Sequence, residues 1–196
     1  MHRVVKPDEG KLAEIKRVAG VSFVGDDLFL ELGAPDERRD AVMAYMAHYV
    51  DYTLAYKMLY ENEEGNGFVA LKRSWKSKVI ADSRLMKRLD RCMPEEPYLR
   101  MQEFTREIAT PDYPYAINRH VSMLMLCVDP AERGRGLGRE LVEFSQEYAR
   151  SEGVPLIIDT DMPGNCALYQ HLGCKLYRTK TAKNGVTRHN LVWLPE

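Results

Sequence analysis

No stretch of this 196-residue chain approaches the roughly 20 consecutive apolar residues that cross a bilayer, so a membrane-spanning protein is not expected. Behind Met1-His2-Arg3 there is no apolar core of the kind a secretory signal carries. Neither sign of charge dominates. The 28 basic and 29 acidic residues leave a formal charge of -1, which offers no general field for a phosphate backbone and argues against nucleic acid as a partner. Cysteine is scarce, with residues at 92, 127, 166 and 174 and no C-x-x-C pair. The histidines at 2, 48, 120, 171 and 189 also miss zinc-ligand spacing, so no metal centre is expected. Unpaired cysteines of this kind suit reduced thiols in a cytoplasmic protein. Internal repeats, low-complexity runs and linkers are missing as well.

What is present suits a single domain over 1–196, because the length supports one full core and hardly two. A short strand is expected near Arg3 to Lys6 and a helix over Asp8 to Ala19. Pro35, with Asp36 and Glu37 beside it, opens a helix that runs to about Tyr56. Strands over Lys57 to Asn62 and Phe68 to Trp75 flank the hairpin signal Glu63-Glu64-Gly65-Asn66-Gly67. Residues 82–110 read as two helical pieces broken at Pro94 and Pro97, and Ala109 to Pro114 as loop. Then comes a strong strand from His120 to Val128, a helix over about 136–151 and a buried strand from Pro155 to Asp159. A short helix from Cys166 to His171 leads to a strand from Cys174 to Thr181. Asn184-Gly185 is read as a two-residue turn into Thr187 to Leu194. The fold class is α/β, with a mixed sheet. The exposed C-terminal hairpin could pair between subunits, which leaves a homodimer open.

The segment from Leu126 to Arg139 carries most of the chemistry. A buried strand ends in Val128-Asp129-Pro130, a loop turns, and a helix begins inside Arg133-Gly134-Arg135-Gly136-Leu137-Gly138-Arg139. The first amides of a helix have no internal partner and lie at the positive end of its dipole, so they bind anions. Glycines let a phosphate approach the backbone closely, and Arg133, Arg135 and Arg139 add fixed positive charge. The pattern points to a pyrophosphate on a helix N-terminus. A dinucleotide is the main competitor, because Asp159 ends the next strand where a ribose-binding acid belongs. Against it, the glycines are spaced G-x-G-x-G, Arg139 stands in the third glycine's place, and five residues separate the strand from Gly134. A P-loop fails for want of a Gly-Lys-Ser or Gly-Lys-Thr.

These residues resemble the GNAT superfamily of N-acyltransferases. Its coenzyme A motif, Q/R-x-x-G-x-G/A, is matched by Arg133, Gly136 and Gly138. The companion motif, loosely N-x-x-x-Y-x-x-x-G-F, is matched by Asn165, Tyr169 and Gly173, with Cys174 where an aromatic residue is usual. The likeness spans residues 120–178 and leaves the first 117 without a motif. It implies a mostly antiparallel central sheet flanked by helices, with two splayed parallel strands at its centre. Residues 1–117 would form the acceptor half and 118–196 the cofactor half. Acetyl-CoA would lie along Leu126-Cys127-Val128, bonding to backbone at Leu126 and Val128, with its pyrophosphate on the amides from Arg133 through Arg139. Asn165 would touch the pantetheine arm, and Tyr169 would point toward the thioester sulfur.

The implied activity is acetyl transfer to a primary amine of a small molecule or peptide, by direct attack within a ternary complex. The alternative is a non-catalytic acyl-CoA-binding or sensing module. Tyr169 is the candidate acid for the departing thiolate, and the Val128 N–H a candidate donor to the acetyl oxygen. His120, expected on one strand face with Ser122, Leu124 and Leu126, is the candidate base; Glu103 is a weaker one. Asp159 and Asp161 read as strand-end residues and Cys127 as a core thiol. Asp26, Asp27 and Glu31 would suit a cationic acceptor.

Overall fold

A computed structural model describes residues 1–76, 79–109 and 118–195, with the side chains of 79–82 left out. Among the described residues seven strands form one sheet in the order β1-β2-β3-β4-β5-β7-β6. These are β1 His2–Arg3, β2 Leu59–Glu61, β3 Gly67–Arg73, β4 Val121–Val128, β5 Leu156–Thr160, β6 Lys175–Thr181 and β7 Thr187–Trp193. Every neighbouring pair is antiparallel except β4 with β5, as the resemblance implied. Among the described residues six α-helices cover its faces: α1 Glu9–Phe23, α2 Pro35–Ala55, α3 Val79–Cys92, α4 Glu95–Ile108, α5 Leu137–Ser151 and α6 Pro163–His171. None among the described residues is long and apolar enough to cross a membrane.

Residues of α1 to α4 share one core with Phe68, Ala70, Met125 and Cys127 of the sheet, while residues of α5 and α6 pack with Val69, Leu71, Val121 and Met123 on the other face. Asp8 caps α1, its carboxylate accepting from the Lys11 amide at 2.8 Å. Ile15, Val18 and Ala19 then recur at helical spacing on the buried side. Gly20 lets α1 meet α2 closely, since a Cβ there would run into the Met43 side chain. In α2, Val42, Met46, Val50 and Thr53 form the buried stripe. In α5 the stripe includes Leu141, wholly buried, which contributes about 2 kcal/mol by removing its side chain from water.

Several boundaries differ from the sequence expectation. α1 continues to Phe23 and is followed by an unexpected 3₁₀ turn at Asp27–Leu32. Pro97 does not break a helix; it lies in the first turn of α4, where an amide has no partner to lose. The β6–β7 loop holds three residues, Lys183, Asn184 and Gly185, with Ala182 donating to Val186 at 2.9 Å. Gly185, at φ 90°, takes the left-handed position such a loop needs. Beyond Ala109, the loop expected to Pro114 lies outside the described residues.

The consequential departure is a bulge in β4. Ala70 of β3 pairs with Met125 and Leu71 with Met123, so Leu124 is an extra residue. One added residue reverses the faces of everything beyond it. Val121 and Met123 therefore pack toward α5, whereas Met125 and Cys127 pack toward α1 and α2. The expected common face for His120, Ser122, Leu124 and Leu126 is corrected: Leu124 packs with the α1–α4 core and Leu126 with the opposite one.

Candidate active site

Strands β4 and β5 are paired from Val121↔Leu156 to Met123↔Ile158 and then part. Five further residues of β4 run on to Val128 without β5 beside them, so the sheet opens into a cleft. Asp129 donates to the Asn66 carbonyl on the β3 side. By alternation, the backbone groups of Leu126 and Val128 turn toward the opening. The Val128 carbonyl there accepts from the Ser22 hydroxyl of α1 at 2.9 Å.

Two cavities lie along this cleft. The first, about 660 Å³, is lined by Leu126-Cys127-Val128, by Arg133, Gly134, Gly136, Leu137, Gly138 and Arg139, and by α6. Gly136 is the N-cap of α5 at φ 85°, and Gly134 has φ 83°. L side chains avoid such angles, which accounts for glycine at both positions. Nothing lies within 4 Å of the Cβ either would carry, so the loop faces open space. The first i→i−4 bond of α5 runs from Glu140 to Gly136 at 3.1 Å, leaving the amides of Leu137, Gly138 and Arg139 without helical acceptors. Room, dipole and the exposed Arg133 and Arg139 together suit a pyrophosphate. Arg135 does not line this cavity: its guanidinium turns to Glu132 and lies 3.8 Å from Glu64.

The second cavity, about 480 Å³, lies on the α1–α2 side and extends to Asp159, Asp161 and Arg188. The two share Ser22, Asp26, Leu126, Asn165 and Tyr169. Tyr169 is only 6% exposed. Burial, reinforced by the Asp26 charge, pushes its phenol well above the ordinary value, so it stays protonated at neutral pH. Asp26 caps the 3₁₀ turn, accepting from the Leu28 amide at 2.9 Å. Burial raises its carboxyl to about 6, against the lowering effect of that amide, and the nearby Asp161 adds to the rise.

The other sequence candidates separate. His120 lines the second cavity away from the junction; its Nδ1 is 2.9 Å from the Asn118 carbonyl, and its amide donates to Ser74. Glu103 is exposed on α4 and lines neither cavity. The Cys127 thiol is buried among apolar residues and pushed up to about 12, so it is no acyl carrier. Asp161 does more than end a strand: it takes two bonds from Arg188, at 2.7 and 2.6 Å. Asp26 was read only as one acid among several. Its place after Gly25 suggests a cap, and no spacing links it to Tyr169.

A strand that parts from its parallel neighbour beside a helix opening on glycines is the arrangement the sequence resemblance implied. Residues 101–174 match the model of the acetyltransferase (GNAT) family. The matched segment begins within α4, ahead of the motifs. No curated protein sequence matches the chain. Among solved structures, a histone acetyltransferase and related acetyltransferase from Corynebacterium glutamicum aligns over 100% of this chain and 97% of its own, with 17% identity and TM-score 0.60. An N-acetyltransferase from Staphylococcus aureus aligns over 98% and 100%, at 19% and 0.60. Arylalkylamine N-acetyltransferase 2 from Aedes aegypti aligns over 93% and 94%, at 15% and 0.60. At such identities the likeness is one of fold.

Proposed function

We propose that the protein is an acetyl-CoA-dependent N-acetyltransferase acting on a primary amine of a small molecule or peptide. The observation that carries this reading is the junction, where a glycine-lined channel and an acceptor cavity share Asp26, Asn165 and Tyr169. Acetyl-CoA is the donor substrate, its pyrophosphate taken by the amides of Leu137, Gly138 and Arg139 and by the Arg133 and Arg139 side chains. Leu126 and Val128 offer backbone groups to the pantetheine arm, with Asn165 across from them. An amine in the second cavity attacks the thioester carbonyl carbon directly, needing proximity rather than a covalent enzyme intermediate.

As the C–N bond forms and the C–S bond breaks, the nitrogen's proton passes to Asp26. A carboxyl at about 6 is mostly ionised at pH 7 and still basic enough to accept it. Tyr169, kept protonated, gives its proton to the departing thiolate and regains one from solvent, to which Asp26 releases the proton it accepted. The products are the amide and free coenzyme A thiol.

Thiol release from acetyl-CoA across an amine panel tests the reading. Tight acetyl-CoA binding without turnover of any amine would favour a sensing module instead. Thermal shift separates the nucleotides: acetyl-CoA at about 100 times its Kd should stabilise by ~2.7 kcal/mol, and NAD not at all.

A further inference from the structure

A third cavity, of about 430 Å³, lies at the end of the β3–β4 pair away from the glycine loop and shares no lining residue with the other two. Arg3, Lys57, Lys72, Arg73 and Lys76 line it, and among the described residues no carboxylate does. Part of that charge is already met. Arg73 pairs with Glu152, and Lys72 has an interaction of its own, so neither is counted. Arg3, Lys57 and Lys76 are in no ion pair among the described residues. The Arg3 guanidinium donates to the Tyr60 hydroxyl at 3.0 Å, which is no counter-ion. The cavity therefore keeps a positive excess after the pairs are taken out.

Two observations set this wall apart from an ordinary solvated face. Lys57 stands just beyond Tyr56, the C-cap of α2, at φ 57°, with the Met58 amide donating to the Thr53 carbonyl at 2.9 Å. Glycine is the usual residue in such a helix ending, and a lysine there carries strain that glycine would not. A cation in the last turn of α2 could complement the helix dipole without that strain. The Nε of Arg73 is buried and has no acceptor among the described residues, a donor that a ligand oxygen would satisfy. Tyr52, Tyr56, Met58 and Leu71 add apolar surface, the two tyrosine rings lying 5.4 Å apart and tilted by 51°.

The excess is better matched by a phosphoryl group than by a carboxylate, which brings one charge and two oxygens to several cations. A nucleic-acid strand would need a track of cations, whereas these line one concave space on a chain of formal charge -1. We propose that this cavity binds a small phosphorylated molecule, its phosphoryl group held by Arg3, Lys57 and Lys76 and its organic part against Tyr52 and Tyr56. Such binding is independent of acetyl transfer.

Calorimetry on the full chain with phenyl phosphate tests the site, acetyl-CoA being kept at saturation so that the glycine loop is occupied. Saturable binding of one phenyl phosphate is expected, about tenfold tighter than benzoate, several-fold tighter than inorganic phosphate, and weaker as salt is raised. Lys57→Gly should weaken it about fivefold, and Lys57→Gly with Lys76→Gln more than tenfold. Lys57→Gly relieves the positive φ, so it should unfold at a temperature no lower than the native chain, and its lost binding is then not a damaged fold. No saturable binding, equal affinity for benzoate, or affinity that both variants leave within about twofold overturns the proposal. Retention of the chain by a single-stranded oligonucleotide or by anionic lipid vesicles, without phenyl phosphate binding, overturns it too.

Discussion

The two cavities that meet at Tyr169 are built from different material. The proposed donor channel is mostly backbone: glycines at positive φ, the opening amides of α5 and the run of β4 that β5 leaves without a partner strand on that side. The proposed acceptor cavity is mostly side chain: carboxylates, tyrosines and a paired arginine drawn from α1, the 3₁₀ corner, α2, β5 and β7. A backbone site tolerates few sequences, since glycine alone accepts those angles and leaves that room. A side-chain site can be rebuilt residue by residue on the same frame, so its specificity belongs to this chain.

The sharpest way to break the contrast is to put a side chain on the backbone site. Gly136→Asp should weaken acetyl-CoA binding more than about 100-fold by calorimetry, because it strains a left-handed N-cap and sets a carboxylate against phosphate. Retained affinity would mean the donor lies elsewhere.

Next in size is Asp26→Asn, expected to lower kcat/KM about 100-fold. It should also stabilise the fold at pH 7. The Asp26 carboxyl is raised on folding, so its favourable contribution is complete below the unfolded value near 4 and is lost as pH rises through about 6. At pH 7 a buried charge is being carried, and an Asn that keeps the cap removes it. The gain should be about 1–2 kcal/mol by denaturant unfolding. A destabilised variant at pH 7 would contradict this environment for Asp26.

Tyr169→Phe should lower kcat about tenfold with little change in the KM for acetyl-CoA. Unchanged turnover would take Tyr169 out of the mechanism. Smallest is the pair of arginine truncations. Arg133→Ala, on the channel wall, should weaken acetyl-CoA several-fold, whereas Arg135→Ala should change it less than about twofold, its charge being spent on Glu132 and Glu64.

How legible each region was follows from the same difference in material. Gly134, Gly136 and Gly138 could be read directly, because their spacing is the geometry of the loop. The helices came through as periodic stripes, and the parallel β4–β5 pair through the resemblance. The bulge at Leu124 left no trace, since neither glycine nor proline marks it and it exists only in how β3 and β4 pair. That hidden residue put Leu126 on the opposite face from Leu124, against the expected common face. Asp26 was obscure for a related reason: it meets Tyr169 only when the α1 corner packs near α6, about 140 residues further along the chain. The ion pairing that turns Arg135 away is likewise a product of tertiary neighbours.

A crystal structure with a non-hydrolysable acetyl-CoA analogue tests the central claim most directly. The account predicts the pyrophosphate on the amides of Leu137, Gly138 and Arg139, with the sulfur within about 3 Å of the Tyr169 hydroxyl and the acyl group opening toward Asp26. An analogue bound elsewhere, or an acyl group directed away from the Asp26–Tyr169 junction, would contradict it.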